Sequence, residues 1–218
     1  MQIEACIFDL DGVIVDSAKY HFLAWKKLAD KLAIPFSHEQ NESLKGVSRV
    51  DSLEKILSWG GIELNNNKKI ELLEAKNQWY LKYTEEMKSE EILPGVFEFL
   101  TELKKSGIKI ALGSSSKNAV LILDKLQIAD FFDEIIDGNK IHFSKPHPEV
   151  FLKAAAGVRC RAESCVVFED AISGVDAALA GHFKCIGIGD PLFLSKAHAV
   201  VSNMEDMSVE KMKTLLLL

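Results

Sequence analysis

The chain of 218 residues combines 48% hydrophobic with 27% charged residues, a balance that predicts a packed globular fold and excludes intrinsic disorder. Its net charge of -6 gives no basis for gripping a nucleic-acid backbone, which needs clustered lysine and arginine. No run approaches the ~18 apolar residues of a membrane span; residues 215–218 are too few and read as the continuation of a helix face. The opening Met-Gln-Ile-Glu lacks the basic start and apolar centre of a signal peptide. Cys6, Cys160, Cys165 and Cys185 show no CxxC pairing, so reduced thiols in a cytoplasmic protein are expected rather than a zinc site or a disulfide framework.

Residues 5–10 (ACIFDL) form a short apolar run broken by one acid and followed by Asp11-Gly12, the pattern of a buried strand entering a turn. From Val13 to Leu93 the periodicity is helical. Tyr20, Leu23, Ala24, Lys27 and Leu28 recur at helical spacing, and residues 70–87 read as a long helix carrying Leu72, Leu73, Trp79, Tyr80 and Tyr83. This predicts a helical module over residues 16–93, inserted into a core made of 1–15 and 94–218. Pro94-Gly95 marks its exit, and Gly46 and Gly60-Gly61 punctuate it.

Strand-like runs follow at residues 109–113, 134–137, 165–168 and 184–188, each separated by a helix-like segment. Continuous rather than alternating apolar strands point to a parallel sheet covered on both faces, a doubly wound α/β core. In such sheets ligands lie beyond the carboxyl ends of the strands. One rim therefore collects Asp9 and Asp11, then residues 114–118, then Glu169 and Asp170.

Two carboxylates at i and i+2 beyond a strand suit phosphoryl transfer. A carboxylate attacks an anionic phosphate only when a hard cation such as Mg²⁺ offsets the repulsion, and a second acid can protonate the departing oxygen. The alternative for Asp-Leu-Asp-Gly is a turn with a capping carboxylate. Lys145 precedes Pro146, which biases its backbone towards an extended loop; the alternative is a solvated lysine. Glu169-Asp170 follow the apolar CVVF directly, where adjacent charges are costly unless paired or metal-bound. They also suit the N-cap of the next helix, and the two roles are compatible.

Together, FDLDG, the Ser114-Ser115-Ser116-Lys117-Asn118 group, Lys145-Pro146 and Glu169-Asp170 come in an order and spacing that resembles the haloacid dehalogenase superfamily along the whole chain. The resemblance implies that Asp9 is the nucleophile that becomes an aspartyl-phosphate and that Asp11 is the general acid/base. It implies Ser114 and Lys145 as binders of the transferring phosphoryl group, and Asp9, Asp11, Glu169 and Asp170 as the Mg²⁺ site.

Within the insert, residues 18–22 (AKYHF), 24–26 (AWK) and 45–49 (KGVSR), with Ser52, resemble the β-phosphoglucomutase family. In that likeness the helical module is a cap. Arg49, Ser116, Lys117 and Asn118 hold a distal phosphate, His21 bonds near Asp11, Lys45 and Ser52 face the sugar, and Gly46 forms a loop or hinge. Without the likeness, His21 reads as a half-buried helical histidine, and Lys45 and Arg49 as a solvated face.

The implied reaction interconverts β-glucose 1-phosphate and glucose 6-phosphate through a bisphosphate; the alternative is a sugar-phosphate phosphatase using the same nucleophile. The implied partners are a sugar phosphate and a sugar bisphosphate, with no nucleic acid or membrane, and a monomer is expected. The chain departs from the family at residues 138–143, at His147 and at residues 171–174, which puts loop geometry beside Lys145 in question.

Overall fold

The computed structural model describes residues 3–216. The first strand, β1 (Ala5–Phe8), is followed by α1 (Ala18–Lys31), α2 (His38–Glu42), α3 (Arg49–Trp59) and α4 (Asn66–Tyr83). The chain then alternates α5 (Val96–Lys105), β2 (Lys109–Gly113), α6 (Ala119–Lys125), β3 (Glu134–Ile136) and α7 (Glu149–Gly157). It ends with β4 (Cys165–Glu169), α8 (Ile172–Ala180), β5 (Lys184–Ile188), β6 (Ala199–Val201) and α9 (Val209–Leu215).

The described strands form one parallel sheet in the order β3-β2-β1-β4-β5-β6. Side chains alternate across each strand, and here both faces are apolar. Cys6, Phe8, Leu112 and Phe168 join α5, α6 and α9 on one face, while Ala5, Ile7, Ala111 and Val167 meet α7 and α8 on the other. Phe8 and Phe168, neighbours across β1 and β4, stack at 4.8 Å, with Phe99 of α5 edge-on to both. The order reverses at β1, which leaves a crevice beyond the carboxyl ends of β1 and β4, where doubly wound sheets bind ligands.

The helices between β1 and β2 build their own apolar cluster, with Trp25, Leu28, Ile34, Leu53, Ile56 and Leu72 among its members. Caps set their starts: Ser37 and Gln40 form a reciprocal capping box at α2, and Ser48 and Asn65 accept the N–H groups of Asp51 and Lys68 at α3 and α4. No helix of the described residues is long and apolar enough to cross a membrane.

Several expected boundaries shift. The inner face of α1 is Ala24, Trp25, Leu28 and Ala29, whereas Leu23 is 46% exposed, because the bulkier Trp25 fills the cluster and rotates the stripe. The long cap helix begins four residues earlier than the apolar pattern, at its Asn65 cap, and gives way to a 3₁₀ turn after Tyr83. The edge strand β6 went unpredicted: it has three half-buried residues and, among the described residues, pairs only with β5. Strand β1 stops at Phe8, although Asp9 N still donates to Phe168 O at 3.0 Å, and β4 extends to include Glu169. Of the apolar carboxyl-terminal tail, Leu217 and Leu218 lie outside the described residues.

Phe168→Ala removes the stacked and edge-on partners at the centre of the sheet. We expect it to lower stability by about 3–5 kcal/mol, read as a lower midpoint in urea unfolding. An unchanged midpoint would contradict this packing.

Candidate active site

The extension of β1 pairing through Asp9 fixes the direction of its carboxylate. Lys145, on the loop between β3 and α7, donates to Asp9 Oδ1 and, at 2.6 Å, to Glu169 Oε1. Asp9 Oδ2 accepts the N–H of Asp11 at 3.0 Å, and Glu169 Oε2 that of Ala171 at 2.7 Å. Both oxygens of each carboxylate are thus engaged. Burial works against the Lys145 ammonium, but the charges of Asp9 and Glu169 outweigh it and hold its pKa above the usual range.

Gly12 explains how Asp170 enters this group. Its φ is +83°, and a Cβ there would lie 2.1 Å from Asp170 Oδ2, so only glycine lets the turn after Asp11 pass this carboxylate. Burial, then the charges of Glu169 and Asp9, push Asp170 well above the ordinary carboxylate range. Lys45 reaches it from the cap at 3.4 Å while also pairing with Glu42. An all-oxygen cluster this crowded has the donor chemistry of a hard divalent cation, although no preformed group of three or more metal-ligating side chains exists among the described residues.

Asp11 stands between core and cap, its side chain 30% exposed. Burial first, and then the Asp9 charge, raise its pKa to about 6. Ser17 Oγ donates to its Oδ1, and His21 Nε2 lies 4.0 Å from its Oδ2. His21 Nδ1 faces Lys76 Nζ at 3.0 Å. Nδ1 is thus engaged with Lys76, while the buried Nε2 faces Asp11 without a hydrogen bond among the described residues. Burial and the charges of Lys76 and Arg49 lower the His21 pKa, which keeps the ring neutral.

The loop after β2 supplies the opposite wall. Ser114 is buried and held by Ile136 O; its Oγ accepts from Ser116 N, and Ser116 Oγ from Asn118 N. Lys117 is exposed at the mouth. The cap sits on this rim through Ser115 to Gly46 O (3.2 Å), Ser173 to Lys45 O (3.2 Å), Ser144 to Asp51 (3.0 Å) and Asn118 to Asn77 (3.0 Å). Gly46 makes this approach close: its φ is +70°, and a Cβ would meet Ser173 Oγ at 2.4 Å.

Between cap and core lies a cavity of 510 Å³. Asp9, Asp11, Ser114 and Asp170 line its floor, Ser116 and Lys117 one side, and His21, Lys45, Gly46, Arg49 and Ser52 the cap side. Lys145 and Glu169 lie behind Asp9 rather than on the wall, and Asn118 sits at the edge, tied to the cap. Arg49 is half-buried and makes no ion pair among the described residues, so its fork is free for an anion. The atypical loop 138–143 leaves Lys145 in place. Glu149 accepts the N–H groups of His142 and Phe143, while Asn139 bonds Asp137 and Lys117 O.

A haloacid dehalogenase-like hydrolase family profile matches residues 6–188. The chain is 42% identical to the β-phosphoglucomutase of Bacillus subtilis over 95% of this chain and 93% of that one. It belongs to the haloacid dehalogenase superfamily, and within it to the β-phosphoglucomutase family. A crystal structure of β-phosphoglucomutase from Clostridium difficile superposes with a TM-score of 0.96 at 41% identity, covering 99% of this chain and 98% of the other. A phosphorylated carbohydrates phosphatase of Thermotoga maritima is 31% identical over 96% of this chain and 99% of its own.

Sequence reasoning missed Lys76, Ser17 and Tyr80. Lys76 is 2% exposed and stands on the buried stripe Leu72, Lys76, Tyr80, Thr84, with its ammonium 4.4 Å over the Trp25 ring. A lysine in an otherwise inward-facing stripe was the available signal. Burial, and then Arg49, lower its pKa well below 10.5. The folded state therefore binds a proton less readily than the unfolded one, and stability rises with pH between the lowered value and 10.5. Lys76→Met should raise stability by about 1–4 kcal/mol at neutral pH and narrow that gain as the pH approaches 10.5. Urea titrations at several pH values check this, and a destabilised Lys76→Met protein at pH 7 would contradict it.

Proposed function

We propose that the chain is a β-phosphoglucomutase, interconverting β-glucose 1-phosphate and glucose 6-phosphate through an aspartyl-phosphate at Asp9 and a β-glucose 1,6-bisphosphate intermediate. The observation that carries this reading is that one cavity offers two sets of groups suited to phosphate. Asp9 and Ser114 line its floor with Lys145 behind Asp9, while Lys117 on one side and the unpaired Arg49 on the cap side line the rest. A bisphosphate that must bind in two orientations needs both. Similarity to the Bacillus subtilis and Clostridium difficile β-phosphoglucomutases over nearly the full chain supports the same reading.

In the forward step the 6-hydroxyl of β-glucose 1-phosphate attacks the phosphorus on Asp9. The new phosphorus–sugar oxygen bond forms as the phosphorus–Asp9 bond breaks, and Asp11 takes the hydroxyl proton. With a pKa near 6, Asp11 is suited to hold and return that proton near neutral pH. The bisphosphate then turns, Asp9 takes the phosphate from O1, and Asp11 returns a proton to that oxygen. Lys145 and the Ser114 hydroxyl offset charge on the moving phosphoryl group. Arg49, Ser116, Lys117 and Asn118 hold the stationary one, while Lys45, Ser52 and His21 face the sugar.

The donors fit Mg²⁺: the carboxylates of Asp9 and Asp170 and the Asp11 carbonyl, backed by Glu169, would hold it. When bound, it supplies the positive charge that lets a carboxylate meet a phosphate. Residues 16–93 act as the cap, and its hydrogen bonds to the rim keep water from the phosphorylated aspartate. The reading places the enzyme in the cytoplasm, where sugar phosphates are metabolised.

A second reading, a Mg²⁺-dependent sugar-phosphate phosphatase, is favoured by the Thermotoga maritima relative and puts water where the sugar hydroxyl attacks. A phosphorus-31 time course with β-glucose 1-phosphate, Mg²⁺ and a bisphosphate primer separates the two. Growth of the glucose 6-phosphate signal is expected; inorganic phosphate as the sole product would overturn the mutase reading. Asp11→Ala should slow turnover on the order of 10²–10⁴-fold, and a steady-state rate within twofold of the parent would remove Asp11 from the acid/base role.

A further inference from the structure

Asn41 is 7% exposed and stands on the wall of the cavity between cap and core. It lies near the end of α2, and that short helix is held at both ends. The Ser37–Gln40 capping box starts it, and Lys55 of α3 donates to Ser43 O at 3.1 Å just past its last residue. The Asn41 backbone is engaged, its N–H donating to Ser37 O at 3.1 Å and its carbonyl accepting from Leu44 N at 3.0 Å. Its side-chain amide makes no hydrogen bond among the described residues. The buried polar atoms closed off there without a partner are His21 Nε2 and Tyr80 Oη. The Asn41 amide is not one of them, so it opens on the cavity that the residue lines.

Stability does not account for an amide at this position. Asparagine is a weak helix former, and burying its amide without a partner opposes folding. Leu44, one helical turn further on, belongs to the apolar cluster of the cap, and an apolar residue at position 41 would suit that cluster better. Ser52, 2% exposed, stands on the same cavity wall, so the cap side presents two buried, neutral polar groups to whatever fills the space.

The chemistry of the substrate says what they can meet. The two phosphate sites take the ends of the sugar, which leaves the ring hydroxyls at C2, C3 and C4 for the cap. Turning the bisphosphate end for end rotates the ring about the line through C3 and the ring oxygen. The hydroxyls at C2 and C4 then trade places, and the one at C3 stays where it was. A group fixed in the wall can therefore hold the C3 hydroxyl in both orientations. An amide suits this because it offers a donor and an acceptor side by side, so it pairs with that hydroxyl whichever way the sugar lies.

We infer that Asn41 is a specificity-determining residue, whose amide hydrogen-bonds the C3 hydroxyl of the sugar in both binding orientations. The choice of C3 rests on the mutase reading above.

The test compares β-glucose 1-phosphate with its 3-deoxy analogue as substrates for the full-length protein with Mg²⁺, in the parent, Asn41→Ala and Asn41→Leu, the last of which fills the site without an amide. Each variant should lower kcat/KM for β-glucose 1-phosphate by about 10-fold and for the 3-deoxy analogue by less than about twofold, because the partner is already missing there. A kcat/KM for β-glucose 1-phosphate within about twofold of the parent, or an equal loss on both sugars, would overturn the inference; an equal loss is what a purely structural residue gives. If the parent protein releases only inorganic phosphate, the mutase reading falls by itself. The same comparison read on phosphate release then decides whether Asn41 holds the hydroxyl.

Discussion

Lys145 holds its ammonium between the carboxylates of Asp9 and Glu169, with its own side chain and that of Glu169 wholly out of water. Removing such charges from solvent is expensive, and only short, saturated hydrogen bonding offsets it. Each oxygen of the two acids has its partner. Take away the lysine, and Asp9, Asp11 and Asp170 on the cavity floor would repel one another and the Glu169 carboxylate buried behind them. The sheet order places β1 and β4 side by side, so that the two acids can share the cation. The fixed loop 138–144 carries that cation to them.

The cap adds a layer with different electrostatics. Lys76, Arg49 and a neutral His21 form a cationic, poorly hydrated ceiling over an acidic floor. Burial lowers the basicity of both Lys76 and Arg49, and the Arg49 charge lowers that of Lys76 further. Asp11 lies at the seam, bonded to Ser17 and faced by His21, so that its orientation depends on where the cap sits. Moving the cap would change the setting of Asp11 and the access of water together. On the proposed mechanism, a phosphorylated Asp9 would then meet an active Asp11 chiefly when a sugar occupies the cavity.

Much of this was legible in the sequence where the chemistry lies next to strand ends. FDLDG, CVVFED and the serine-rich loop all follow apolar runs, and the rim they share follows from the rule for parallel sheets. Arg49 and Lys45 were found by likeness alone, since the residues themselves fitted a solvated face, whereas Gly46 between them already marked a loop or hinge. Lys76, Ser17 and Tyr80 escaped because their role depends on which face of α1 and α4 meets the core, and the apolar pattern assigned that face imperfectly. Trp25 turned α1 by one residue, and Lys76 took a place that periodicity reserves for apolar side chains. The bond of Glu169 to Lys145, across 24 residues of chain, had no local signal at all.

The most direct test of the account is the site of phosphorylation. Incubating the protein with labelled β-glucose 1,6-bisphosphate, quenching in acid within the first turnover and mapping the peptides should place the label on Asp9. Asp9→Asn protein treated in the same way should carry none. Label on another residue, or isomerisation by a protein that never becomes labelled, would contradict a nucleophile held between Lys145 and Asp11.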